Sequence, residues 1–301
     1  MSLALAMILD AVFGEPDAVW RRVPHPAVLL GRLIGALEAR LNKGGDRRAK
    51  GVAALAILLI VAIAAGALIE VIPLWFLPEM ITAAILLAQK SLVDHVRAVA
   101  TALDKGVKAG RAEVAKIVGR DTAPLDQAGV SRAAIESAAE NLSDGVVAPA
   151  FWLLIFGLPG MLAYKAINTA DSMIGYRNER YEEFGWASAR LDDLVNFIPA
   201  RLTAILFAAA QFDIAPWRAA RRDAGLHRSP NAGWPEAAMA ASIHVALAGP
   251  RSYEGRMTDD PFMFAEGDRA PGPADILRAV AMLWRVWFAL LAVVLATAAI
   301  L

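Results

Sequence analysis

The chain has no cysteine, which excludes a disulfide framework, a thiolate metal site and a cysteine nucleophile. Histidine is nearly as scarce. His25, His95, His227 and His244 are widely separated and form no HExxH or paired-His motif. Any divalent cation would therefore sit on carboxylates and substrate phosphates, which suits magnesium better than zinc. There is no excess of charge of either sign, with 30 Lys and Arg against 30 Asp and Glu. Nothing then points to a polyanion-binding protein, and no nucleic-acid partner is expected. The sequence also lacks a GxxxxGK[ST] phosphate loop, a GxGxxG turn, an internal repeat, a heptad array and a low-complexity tail. The amino terminus, MSLALAMILDAVFGEPD, has neither the basic region nor the small-residue cleavage pattern of a secretory signal and is read as retained.

What the chain has in plenty is apolar residues, 57% of 301, a share that points to a membrane protein. Gly51 to Ile69 is uncharged and close to the roughly 20 residues that cross a hydrocarbon core as a helix. Pro73 and Pro78 bracket a turn that closes a helical hairpin at the membrane face, with Trp75 and Phe76 in the interfacial belt. The apolar pattern from Met80 to Leu87 is expected to run on as helix into the charged residues around Lys90, Asp94 and Arg97. Further apolar blocks lie at Val146 to Tyr164, Leu194 to Phe212 and Ala279 to Leu301. The first of these is interrupted by Gly157, Pro159 and Gly160, so either one kinked helix crosses or two half-helices dip and return. The expected fold is all-α and polytopic, with four or five inserted segments, some of them re-entrant. A polar helical insertion occupies 94–144, with a loop at GRDTAPLDQ, and a polar extramembrane layer occupies 213–278. In the short first segment, Asp10 either lines a cavity or ends a helix at the water boundary. The segment from Gly14 to Lys50 carries eight basic residues against four acidic ones and is assigned to the cytoplasmic side.

Polar residues gather in a few dense blocks. In ESAAENLSDG, helical spacing puts Glu136, Glu140 and Asp144 on one stripe with Asn141 beside it. Three such carboxyl groups repel one another unless a cation or protons neutralise them, although a solvated acidic face has the same pattern. In YKAINTADSMIGYRNERYEEFG, Lys165, Asn168 and Ser172 share a helix face, Asp171 flanks it, and Arg177 and Arg180 follow. A lysine, an asparagine, a carboxylate and two arginines suit an anionic phosphate and the metal that bridges it. Snorkelling alone would explain Lys165 but not its neighbours. In ARLDDLVNFIPARL, Asp192 and Asp193 serve as helix caps or as metal ligands with equal weight. In SPNAGWPEAAMA, Ser229 and Asn231 form a capped turn that could also face an anion. His25, set between Pro24 and Pro26 and followed by Arg32, reads first as a hydrogen-bonded structural histidine.

These blocks, in this order and between these apolar spans, resemble the adenosylcobinamide-phosphate synthase family of cobalamin biosynthesis, often called CobD/CbiB. The resemblance runs from the Asp10 to Arg32 block through Lys90 and Asp94 to the Tyr253 to Gly255 turn. It implies a single membrane-embedded catalytic domain over 1–301, in the inner membrane with its active site facing the cytoplasm. The implied enzyme is an ATP-dependent amide-forming ligase. It joins adenosylcobyric acid to (R)-1-aminopropan-2-ol phosphate, or to the free amino alcohol, and gives adenosylcobinamide phosphate. An acyl phosphate formed with magnesium and ATP fits that chemistry, since such transfer relies on positioning and charge neutralisation. The resemblance assigns Glu140, Asp144 and Asp171 to metal, Lys165, Arg177 and Arg180 to phosphate, and Asn141 and Asn168 to orientation. Ser172, Asp192, His25, Arg32, Ser229 and Asn231 join them at the substrate, with Asp192 or His25 as general base. Membrane lipid and other membrane enzymes of the pathway are the implied partners. The competing classes are a transporter, a phospholipid alcohol-transferase and a regulatory or scaffold membrane protein. The alcohol-transferase pattern fails at the apolar VVAPAFWLL that follows Asp144-Gly145.

Overall fold

The computed structural model describes residues 1–119, 121–253 and 256–300. In chain order the helices are α1 Ser2–Phe13, α2 Asp17–Trp20, α3 Pro26–Leu41, α4 Arg47–Glu70, α5 Leu77–Leu86, α6 Gln89–Asp104 and α7 Val107–Val114. There follow α8 Gln127–Leu142, a π-helical turn at Ser143–Val147, α9 Ala148–Ile174, α10 Trp186–Val195, α11 Phe197–Gln211, α12 Ala215–Asp223, α13 Gly233–Ile243 and α14 Pro273–Ile300. Among the described residues, strands are confined to β1 Leu247–Ala248, β2 Arg251–Tyr253, β3 Arg256–Thr258 and β4 Phe262–Met263. They form two antiparallel ribbons, β1 with β4 and β2 with β3. The all-α expectation holds, with these ribbons as an unforeseen addition. Residue 120 of the GRDTAPLDQ loop and residues 254 and 255 of the Tyr253 to Gly255 turn lie outside the described residues.

Among the described residues, three helical stretches are long and apolar enough to cross a membrane: Arg47–Glu70, the continuous run Gln127–Ile174, and Pro273–Ile300. At 1.5 Å per residue, the 24 residues of α4 extend about 36 Å, enough for a hydrocarbon core of roughly 30 Å. The bent pair α10 and α11 passes only as one unit, which raises the total to four, and α1 is shorter than a span. Ile57, Ile60, Val61, Ile63 and Leu68 are exposed along α4, as are Phe288, Val293 and Leu295 along α14. Apolar surface so continuous is stable against acyl chains and not against water. The chain is a membrane protein.

The chain forms two compact units, each discontinuous in sequence. The first comprises Met1–Ala88 and Ala148–Phe197. Within it α1 packs on α5 through Leu3, Ala6, Met7 and Asp10, spaced to share one helix face. Asp10 is only 3% exposed, so its carboxylate is enclosed by protein. Turn residues after α4 lead into α5 and complete the expected hairpin, with Trp75 at the tip 90% exposed. The apolar pattern does not run on as one helix past Leu87. That residue is extended (ψ 153°) and ends α5, and α6 starts afresh at Gln89.

Helix α4 lies against α9. A Cβ at Gly66 would stand 2.6 Å from the backbone of Pro159, and one at Gly51 would collide with the carbonyl of Phe184. Glycine at both positions therefore lets two backbones touch. Helix α9 is broken where the sequence suggested, with non-helical backbone at Phe156 and at Gly157, whose φ is +64°. The freed N–H of Leu158 donates to Glu70 Oε1 at 2.7 Å. A carboxylate at the end of α4 thus caps the second half of α9, the kind of internal partner that broken backbone requires in a membrane.

The second unit comprises Gln89–Val147 and Ile198–Leu301. Its axis is α8, buried along Val130, Ala133, Ala134, Ala138 and Leu142, with α6, α7, α13 and α14 packed on it. Asp126 caps α8 by accepting from Gly129 N at 2.7 Å. Beside this bundle, Arg222 forks onto Asp223 at 2.6 and 2.7 Å, and Asp223 also accepts from Phe264 N at 2.8 Å. Burial pushes the Asp223 carboxyl up, but the guanidinium and the Phe264 N–H outweigh it and hold the group below the usual carboxylate range.

Candidate active site

The sequence-predicted site residues fall into several groups, each positioned by local backbone. In the first unit, the second half of α9 carries Lys165, Asn168 and Asp171, all half-buried, with Ser172 exposed one turn on. Asn168 Nδ2 donates to Asp192 Oδ1 at 3.3 Å, and Asn196 Nδ2 donates to Asp192 Oδ2 at 3.0 Å. Asn196 Oδ1 in turn accepts from the Tyr164 hydroxyl at 2.9 Å. Tyr164 is 1% exposed, so this chain of hydrogen bonds starts in the protein interior and ends at Asn168. The buried Tyr164 hydroxyl and Asn196 amide, with the half-buried Asn168 and Asp192 beside them, are stable where they satisfy one another, and here they do. Asp192 is consequently more than a helix cap, because its two oxygens tie α9 to the end of α10.

Arg177 and Arg180 do not converge as the spacing suggested, because α9 stops at Ile174 and the chain turns. Gly175 makes that turn tight, and a Cβ there would meet the Asp171 carboxylate. Arg177 lines a groove of about 280 Å³ with Tyr176, Glu182, Trp186, Arg190 and Asp193. Arg180 pairs with Glu38 at 2.9 Å and lines a different, open groove of about 860 Å³ with Asn42 and Arg47. Hydrogen bonding to Glu38 raises the Arg180 pKa above its ordinary value, so the group stays charged.

His25 is a structural residue. Its Nδ1 accepts from Ala27 N at 3.2 Å as the cap of α3, its Nε2 lies 3.2 Å from the Ile85 carbonyl, and Trp20 packs edge-on at 4.5 Å. With both nitrogens engaged it is ill suited to act as a general base. Arg32 is exposed on α3.

In the second unit, ESAAENLSDG ends α8 and passes into the π-turn, so the regular stripe is broken before its third member. Glu136 is 5% exposed and accepts from Ala248 N at 2.7 Å, which makes it a structural anchor for β1. Glu140 and Asn141 are exposed and Asp144 is half-buried. Asn141 donates to the Ser137 carbonyl at 2.8 Å. Single π-turns within α-helices concentrate at functional sites. The spacing gave no sign of this one. Ser229 and Asn231 form the capped turn that the sequence suggested. Ser229 Oγ accepts from the N–H groups of Asn231 and Ala232, both at 3.2 Å, and Asn231 Oδ1 accepts from Arg201 at 3.2 Å.

Among the described residues no three His, Asp or Glu side chains gather to hold a metal ion by themselves.

The family of the CobD/Cbib protein matches residues 3–283. This chain belongs to the CobD/Cbib family. It is 49% identical over 299 residues to Cobalamin biosynthesis protein CobD of a Sinorhizobium species, covering 94% of this chain and 93% of that protein. Its identity to the protein of the same name from Rhizobium meliloti is also 49% over 299 residues, with 94% and 91% covered. For the protein of that name from Rhodobacter capsulatus it is 49% over 292 residues, with 93% and 91% covered. No solved structure matches. Tyr164, which no motif singled out, thus enters the candidate site of a CobD/Cbib chain through its bond to Asn196, a partner 32 residues away.

Proposed function

We propose that this chain acts in cobalamin biosynthesis as a membrane ligase, joining the carboxylate of adenosylcobyric acid to an aminopropanol-type amine. Family membership supports the pathway, and the single structural observation that carries the site is the hydrogen-bonded chain Tyr164–Asn196–Asp192–Asn168. It fixes Asn168 beside Lys165 and Asp171 on one helix. In the reaction, a corrinoid carboxylate oxygen attacks the γ-phosphorus of ATP and ADP leaves. The amine nitrogen then attacks the acyl carbon, the C–O bond to phosphate breaks, and the ammonium proton passes to a carboxylate. Lys165 and Arg177 neutralise the phosphoryl oxygens, Asn168 orients the acyl group, and Asp192 takes the proton. Magnesium, held by Asp171 together with phosphate, would supply charge neutralisation.

ATP and the charged substrates are cytoplasmic, which requires these residues to face that side of the inner membrane. The break at Phe156–Gly157 supports a segment 146–164 that dips and returns. Single cysteines at exposed Ala123, Glu183 and Gly225 can be labelled without background, whereas Ser137 and Ser188 are buried and would not report. Labelling of position 123 or 183 from outside intact cells overturns the cytoplasmic site.

The reaction is tested by mass spectrometry of purified protein with adenosylcobyric acid, magnesium and each amine, with and without ATP. Amide product that depends on ATP and is abolished in Asp171→Asn, while membrane insertion is intact, is the expected outcome. Absence of amide from the wild-type protein with both amines refutes it.

A further inference from the structure

The end of α11 and the outward face of α12, both in the second unit, take no part in the proposed reaction. Ile198, Ile205 and Phe212 recur every seventh residue and are all exposed, with Ala209 exposed between the last two, so they line one face of α11 and its end. An apolar stripe of this kind is stable against acyl chains. Helix α11 then stops in a left-handed cap, in which Phe212 N donates to the Ala209 carbonyl at 3.2 Å and Asp213 N to the Ala208 carbonyl at 3.1 Å. Glycine is favoured at the turning position of such a cap, yet Phe212 holds it with φ 53° and is 100% exposed. A phenylalanine so placed is costly in water and favourable against lipid.

Helix α12 begins three residues later. Its inner side, with Pro216, Ala219 and Ala220, is buried, and Trp217 packs 5.4 Å from Trp234 of α13. The Arg201 guanidinium of α11 lies 4.6 Å from the same Trp234 ring, so one ring ties both helices together. The outer side carries Ile214, Arg218 and Arg221, spaced to share a face, and all three are exposed. Arg222 is taken up by Asp223 and Glu266, and Arg228 by Asp260. Asp213 is turned to the Ala215 N–H at 3.0 Å. Arg218 and Arg221 form no ion pair among the described residues. Two guanidinium groups one turn apart repel unless an anion lies against them.

We infer that the Arg218–Arg221 face of α12 lies on the membrane surface and binds the phosphate groups of anionic phospholipids. Continuity identifies the partner. The apolar stripe of α11 runs through Phe212 to Ile214, and these arginines are the first cations beyond it, at the level where headgroup phosphates lie. Arginine can fork onto two phosphate oxygens at once. The inference does not depend on the ligase reaction.

Exposed Gly225 follows one turn after Arg221, and a side chain there meets open space. Gly225→Cys in the full chain therefore carries a fluorophore, with no other cysteine to compete. The protein is reconstituted in phosphatidylcholine vesicles containing equal small fractions of either phosphatidylglycerol or phosphatidylcholine that bears a nitroxide near the top of its acyl chain. Quenching by the anionic lipid should exceed that by the zwitterionic one by about fivefold or more, the enrichment that one basic side chain gives at an anionic surface. Raising NaCl from about 0.05 M to about 0.5 M should remove most of the preference, a test on unsubstituted arginines that holds even where a variant fails to fold. Arg218→Gln and Arg221→Gln should each weaken the preference several-fold, Arg218→Lys should keep it, and Arg228→Gln should leave it unchanged. Equal quenching by the two lipids, or a preference that survives Arg218→Gln combined with Arg221→Gln, overturns the inference. Absence of quenching by either lipid overturns it as well and assigns the face to a soluble partner.

Discussion

Replacing Tyr164 with phenylalanine removes one oxygen from the protein interior without changing the ring that packs there. The hydroxyl donates to Asn196 Oδ1 at 2.9 Å in a buried setting. Its loss leaves a buried acceptor short of a donor, which costs about 1–3 kcal/mol, more than the net worth of an ordinary hydrogen bond. Asn196→Ala removes two bonds, one to Tyr164 and one to Asp192, and is expected to cost more. The double variant should cost less than the sum of the two, with a coupling of about 0.5–1.5 kcal/mol. Reversible unfolding in mixed detergent, monitored by tryptophan fluorescence, gives all four free energies of the cycle. Because Asn196 also holds Asp192, which holds Asn168, Tyr164→Phe should lower turnover several-fold and leave membrane insertion unaffected. A coupling indistinguishable from zero, or full turnover in Tyr164→Phe together with Asn196→Ala, refutes the view that these residues work as one chain.

Two further outcomes follow from features of the fold. Glu70→Ala leaves the Leu158 N–H without its cap and should cost about 1.5–3 kcal/mol, whereas Glu70→Gln keeps an acceptor and should cost clearly less; equal thermal stability of both variants and wild type would refute the cap. The Asp223 carboxyl is held below its ordinary value, so its contribution is complete above the unfolded pKa of about 3.9 and is lost as pH falls through the folded value. Limited proteolysis should therefore cut around β4 more readily at acid pH, and Asp223→Asn should make that cutting insensitive to pH over the same interval.

The parts of this architecture set by local composition were legible in the sequence. The uncharged run of α4, the turn bracketed by Pro73 and Pro78, and the interruption near Gly157 each follow from a few neighbouring residues. Leu87 was not legible, because no glycine or proline marks the end of α5 and only packing makes the residue extended. The π-turn at Ser143–Val147 likewise has no signature in spacing, so the carboxylates of ESAAENLSDG looked like one stripe when Glu136 in fact anchors β1. Side-chain partners distant in the chain were out of reach altogether. Arg180 goes to Glu38, 142 residues away, and His25 is engaged through Ile85. The block around Lys165, Asn168 and Asp171 was recognisable because helical spacing alone brings those residues together.

The two glycines of α4 make that helix a ruler. Gly51 and Gly66 are fifteen residues, or about 22 Å, apart, and each sits where another backbone leaves no space for a side chain. Inserting or deleting a single residue between them would turn one contact by about 100° relative to the other and shift it by 1.5 Å. One glycine would then face lipid and a bulkier residue would meet Pro159 or Phe184. Lipid-facing positions between the two marks are free to exchange one aliphatic side chain for another, but the number of residues between them is not free to vary.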